Sequence, residues 1–284
     1  MANPEPSRRR TFEVNGLALA ADEYPADPSR GLALLLHGGG QTRHSWHRAA
    51  ERLAAAGWSA ATLDARGHGE SEWAGDTDYT QDALVSDLKG IVATYDQPPI
   101  LIGASMGGLT SLVAVGEKEV AARALVLVDI APRIEENGAS RIGDFMRARP
   151  EGFESLEEVA AAVSAYNPHR KRPSTLEGLK KNVRLREDGR WHWHWDPAFM
   201  QITRDEPRRL TAEDRLVKAA RNISIPTLLV RGKQSDVVSV EGAKELLELV
   251  PGSRYVDVSG AGHMVAGDDN DIFTQEVLTF LDGL

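Results

Sequence analysis

Short, unbroken apolar runs recur along the chain, each closed by glycine or a polar turn. They are Leu32–Leu36 before His37-Gly38-Gly39-Gly40, Ser59–Leu63 before Asp64, and Ile100–Ile102 before Gly103. Three more follow: Ala124–Val128 before Asp129, Thr227–Val230 before Arg231-Gly232, and Tyr255–Val258 before Ser259. Most do not alternate polar with apolar residues. Continuous runs suit strands buried on both faces, as in a parallel sheet. Between them, Trp46–Ala56, Thr80–Thr94, Leu109–Glu119 and Val240–Leu249 have helical character. Strand and helix in alternation predict a doubly wound α/β sheet. Thr11–Val14 and Leu17–Glu23, joined by Asn15-Gly16, predict a hairpin, because Asn-Gly favours a tight two-residue turn.

The rhythm breaks after Ile130-Ala131-Pro132. Residues 133–214 are charged and helical in pattern, with no buried-strand run, and they hold Trp191-His192-Trp193-His194-Trp195. The strand pattern resumes at Ile225-Pro226. This predicts one sheet domain, 1–132 and 215–284, interrupted by a helical insertion, 133–214.

Composition narrows the function. Of 284 residues, 42% are hydrophobic and 26% charged, enough for a sizeable core. The net charge of −9 argues against nucleic-acid binding, which needs a basic face. No apolar stretch approaches the roughly 20 residues of a membrane helix, and no secretory signal opens the chain, so a soluble, cytoplasmic protein is expected. The absence of cysteine removes thiolate nucleophiles, thiolate metal sites and disulfides.

Gly103-Ala104-Ser105-Met106-Gly107 fits Gly-x-Ser-x-Gly, a sharp strand-to-helix turn that lifts a serine hydroxyl clear of a sheet. Serine needs a base, and the base a group to orient it. His263, in Gly262-His263-Met264 past the last strand, is the best-placed histidine. For the acid, Asp236 after Thr227–Val230 and Asp129 after Ala124–Val128 both satisfy the order Ser, Asp, His. The longer loop ahead of Asp236 gives it more reach, which favours it over Asp129. The oxyanion formed by attack needs backbone donors. The Met106 N–H is one; Gly39, or alternatively Gly40, supplies the other.

With these residues the chain resembles the α/β-hydrolases of the capped serine type. The likeness rests on His37–Gly40, Asp64-Ala65-Arg66-Gly67-His68-Gly69-Glu70-Ser71, Gly103–Gly108, Asp236 and Gly262-His263. It implies an α/β-hydrolase fold with a mostly parallel sheet of about eight strands and an inserted helical cap. It also implies that the acid usually follows the seventh strand, matching Asp236, and in a minority the sixth, matching Asp129. The Asp64–Ser71 loop is structural by the same likeness. Ser105 stands where dehalogenases and epoxide hydrolases of the fold carry aspartate, which favours acyl transfer to water.

The expected function is ester hydrolysis through an acyl-enzyme, on a small, partly apolar substrate, with no cofactor. Trp46, Trp191, Trp193, Trp195 and Met264 are candidate pocket residues. Carbon–carbon bond hydrolysis, cofactor-free perhydrolysis, or a slow-turnover small-molecule receptor would use the same residues. His192 and His194 share a face if extended, but no third ligand stands out and no metal site is expected. The oligomeric state is left open.

Overall fold

A computed structural model describes residues 7–166, 176–201, 206, 209–259 and 271–284. The chain opens with β1 (Arg8–Val14) and β2 (Leu17–Tyr24), paired antiparallel across Asn15-Gly16, both at positive φ. That conformation is what a two-residue hairpin turn requires. Arg8-Arg9-Arg10 is therefore part of an edge strand.

Next come β3 (Leu32–Leu36), a 3-10 turn (Arg43–Trp46), α1 (His47–Ala55), β4 (Ser59–Leu63) and α2 (Gln81–Val92). They are followed by β5 (Ile100–Ala104), α3 (Met106–Gly116) and β6 (Ala124–Val128). After the inserted segment the chain continues with α6 (Glu213–Arg221), β9 (Thr227–Gly232), α7 (Val240–Leu249), β10 (Arg254–Val258) and α8 (Asp271–Leu281). The main sheet has eight strands in the order β1-β2-β4-β3-β5-β6-β9-β10. From β4 to β10 every neighbouring pair is parallel; β2 is antiparallel to both its neighbours.

The strands read as continuous apolar runs because helices cover both faces. On one side, residues of α2, α3, α6 and α7, such as Leu88, Leu112, Leu216 and Leu246, bury against Leu34, Leu101 and Leu125. On the other, α1 and α8 bring Leu53, Phe273 and Phe280 against Leu35, Ile102 and Val126. Adjacent strand residues point to opposite faces, so each run feeds both layers. β5 and β6 are fully buried throughout.

Two expectations change. Helix α3 begins at Met106, three residues before the predicted Leu109, because the chain turns into helix directly after Ser105. The segment between β6 and α6 is not wholly helical. Besides α4 (Glu136–Arg147) and α5 (Leu156–Tyr166) it contains β7 (Val183–Leu185) and β8 (Trp191–Trp193), an antiparallel pair. Alternation of Trp and His is a period-two pattern that suits a strand with one face packed. Three residues were too few to register as a run.

Candidate active site

The site is built at the carboxyl ends of the central strands. Ser105 joins β5 to α3 with φ 45° and ψ −114°, a conformation outside the regions that L-residues ordinarily adopt. The turn can be this tight because of its glycines. A Cβ on Gly103 would stand 2.5 Å from the Gly107 carbonyl, and one on Gly107 would stand 2.5 Å from the Leu36 carbonyl oxygen. The Gly107 N–H donates to the His37 carbonyl and the Ser105 N–H to the Val128 carbonyl, tying the elbow to the ends of β3 and β6. The Ser105 hydroxyl has no hydrogen-bond partner among the described residues, which exclude His263 and Met264.

Opposite the elbow runs the loop His37–Gly40. The Gly38 N–H is already occupied by the Gln41 side-chain oxygen at 2.9 Å. The Gly39 N–H has no partner among the described residues. Met106, first residue of α3, leaves its N–H without an intrahelical acceptor, as helix starts do. These are two donors of the kind an oxyanion requires, and the amino end of α3 adds a favourable dipole.

The inserted segment packs onto this loop. A Cβ on Gly39 would touch Met146 of α4 at 3.4 Å and Phe199 at 3.8 Å; one on Gly40 would touch the Trp195 ring at 3.4 Å. Trp193 stacks on Trp195 at 4.9 Å, nearly parallel, and both are buried. Trp191 sits farther along β8 and exchanges backbone hydrogen bonds with Phe153. Trp46 lies elsewhere: it is fully buried against Phe273, in the layer between the sheet and helices α1 and α8.

The two candidate acids have different surroundings. Asp129 continues β6 beside the end of β5, where Ala104 pairs in register with Val128. It is fully buried and has φ 49°. Its carboxylate accepts from the Gly232 N–H at 2.9 Å and from the Ser235 hydroxyl at 2.6 Å. Asp236 instead meets Arg141 of α4, whose Nε and Nη2 donate to its two oxygens at 2.8 and 2.9 Å. Both side chains of that pair are about 40% exposed.

Three buried histidines lie in or beside the His37–Gly40 loop and the inserted segment, and hydrogen bonds fix the tautomer of each. His37 Nε2 accepts from the Ala65 N–H, so Nδ1 donates to the Gly38 carbonyl at 2.8 Å. His194 Nδ1 accepts from the Gly69 N–H at 2.8 Å, so Nε2 donates toward the Gly40 carbonyl at 3.3 Å. His68 lies between them, with ring centroids 5.3 and 5.8 Å away, and its Nδ1 donates to the Arg66 carbonyl. No group of three or more metal-ligating side chains is assembled among the described residues. His192 pairs with Asp188 at 2.8 Å, while His194 is engaged by Gly69 and Gly40.

Burial depresses the pKa of all three histidines, that of His68 to about 3. The unfolded chain protonates His68 below about pH 6.5 while the native state does not, so stability falls with pH in that window. Between about pH 7 and about pH 5 the His68 contribution is roughly 2 kcal/mol. Urea unfolding across that range should show the loss, and His68→Phe should flatten the dependence by about one proton. An unchanged slope in His68→Phe would contradict this assignment.

A family model described as the alpha/beta hydrolase fold matches residues 33–269. The chain belongs to that family. This α/β-hydrolase is 28% identical over 210 residues to a 3-hydroxybutyrate-oligomer hydrolase of Cupriavidus necator, covering 70% of this chain and 71% of that one. It is 28% identical over 257 residues to the esterase Rv0045c of Mycobacterium tuberculosis, covering 88% and 82%. The crystal structure of an E-2-(acetamidomethylene)succinate hydrolase superimposes with a TM-score of 0.83 at 24% identity, covering 98% of this chain and all of that one. The hydrolase has no helix among its described residues long and apolar enough to cross a membrane.

Sequence reasoning missed several residues of this site. His37 and His68 lie in motifs already singled out, but their hydrogen bonds depend on which loops meet. Arg141 and Ser235, which divide the two acids between them, carry no sequence signal of their own.

Proposed function

We propose that this hydrolase cleaves esters, or related acyl bonds, of small and partly apolar substrates through a serine acyl-enzyme. The observation that carries the reading is Ser105 on its strained elbow, facing a loop whose Gly39 N–H has no partner among the described residues. Two relatives support it by name, one an esterase and the other a 3-hydroxybutyrate-oligomer hydrolase.

In the proposed cycle the Ser105 Oγ attacks the acyl carbon while His263 takes its proton. The carbonyl oxygen becomes negative and is held by the N–H groups of Gly39 and Met106. Collapse expels the alcohol, protonated by His263, and leaves an ester on Ser105. Water, activated by the same histidine, then releases the acid. Residues 133–214 act as a cap, with Met146, Trp195 and Phe199 forming an apolar roof over the oxyanion loop.

For the acid we place Asp129 ahead of Asp236. Its buried carboxylate lies one strand from Ser105 and is oriented by the bonds from Gly232 and Ser235, and the two oxygens of a carboxylate together offer about four acceptor sites. Asp236, matched to Arg141, serves instead to pin the cap to the core. The test of the reading is covalent. A fluorophosphonate should label the wild-type protein at Ser105 alone, as mapped by peptide mass spectrometry, and short p-nitrophenyl esters should compete for labelling. Labelling elsewhere, or none, would overturn it.

A further inference from the structure

Away from the elbow, the inserted segment and the core meet along a second recess. It has a volume of about 170 Å³ and is lined by Thr42, Arg43, His44, Gly69, Glu70, Lys180, Lys181 and Arg184. Four of these carry positive charge in a protein whose net charge is −9. Which charges are already neutralised decides what the recess can hold.

Arg43 is spoken for: its guanidinium lies 2.6 Å from Asp64 and 3.0 Å from Glu70 and from Asp22. Glu70, the one acid in the lining, is shared between Arg43 and Arg9, so its charge is also met. Lys180 pairs with Glu177. Lys181 and Arg184 are different. Neither has a carboxylate partner among the described residues. Arg184 donates to the carbonyls of Lys180, Val183 and Gly69, three neutral acceptors that orient its guanidinium without cancelling its charge. The Thr42 hydroxyl makes no capping bond to the turn it precedes. Among the described residues the recess thus presents two cations without a carboxylate partner, one of them held in place, beside a hydroxyl.

We propose that this recess is a binding site for a phosphate group, free or carried as a phosphomonoester. A doubly charged oxyanion would accept charge-assisted hydrogen bonds from Lys181 and Arg184, with Thr42 on the third side. Pre-orientation of Arg184 lowers the ordering cost of capture. The site is separate from Ser105 and does not depend on the acyl-transfer reading.

The experiment is calorimetric titration of the full chain with inorganic phosphate, and in a second arm with glycerol 3-phosphate, at ionic strength held constant with sodium chloride. Saturable one-site binding is expected. Lys181→Gln and Arg184→Gln should each weaken it by about tenfold or more. Lys181 is exposed, so that variant should fold normally, with melting temperature as the check. Ser105→Ala should bind phosphate like the wild type. Tighter binding of glycerol 3-phosphate would identify the ligand as a monoester, and tighter binding of inorganic phosphate would identify the free ion. Absence of saturable binding, wild-type affinity in folded Lys181→Gln and Arg184→Gln, or loss of binding in Ser105→Ala would overturn the proposal.

Discussion

Ser105→Ala should lower kcat on short p-nitrophenyl esters by about ten-thousandfold or more while leaving the fold intact. The size follows from the chemistry the hydroxyl carries. Without Oγ no acyl-enzyme can form, and what remains is water attack assisted by the oxyanion donors and by substrate positioning. The stability change should be small, because alanine meets the same backbone strain at φ 45° as serine does, and the hydroxyl has no hydrogen bond to lose among the described residues. Stopped assays on purified protein with matched melting curves provide the check. Retention of activity within about tenfold of wild type would remove Ser105 from the reaction.

The second large effect separates the two acids. Asp129→Asn should cost about a hundredfold to ten-thousandfold in kcat, since an amide can hold neither the imidazole tautomer nor the imidazolium that forms during attack. Asp236→Asn should cost less than about fivefold, because it removes only an exposed ion pair with Arg141, worth about 1 kcal/mol or less. The comparison is internally controlled, as both changes remove one negative charge and keep side-chain volume. A large loss in Asp236→Asn with little in Asp129→Asn would reverse the assignment, and would mean that Arg141 releases its partner during the cycle.

The difference between these two carboxylates also shows where sequence reading stops. Both follow an apolar run and both precede His263, so chain order treats them alike. Loop length favours Asp236; the contact from Arg141 on a distant helix, which places Asp129 first in our proposal, has no counterpart in the sequence pattern. By contrast, β3, β5 and β6 could be found directly, since a strand buried on both faces must be apolar at every position. The elbow was readable for a related reason: its glycines are fixed by backbone contacts that any strand-to-helix turn of this tightness would make. Trp46 illustrates the opposite case. An aromatic ring at the start of a helix satisfies a pocket and a core equally well, and only the position of Phe273 decides. The short pair β7 and β8 was missed because charged neighbours hid a pattern only three residues long in each strand.

His194 has a consequence for how such proteins could be recombined. It stands on the inserted segment, yet it is the residue that bridges Gly69 to the Gly40 carbonyl, and Met146, Trp195 and Phe199 close over the same glycines. The His37–Gly40 loop, which holds the developing charge in the proposed cycle, is therefore braced by the core and by the segment between β6 and α6 alike. Grafting a relative's cap onto this core would transplant a preference for substrate only if the graft also carried a side chain able to make both of those bonds. On the proposed mechanism, specificity and reactivity in this chain are not separable modules.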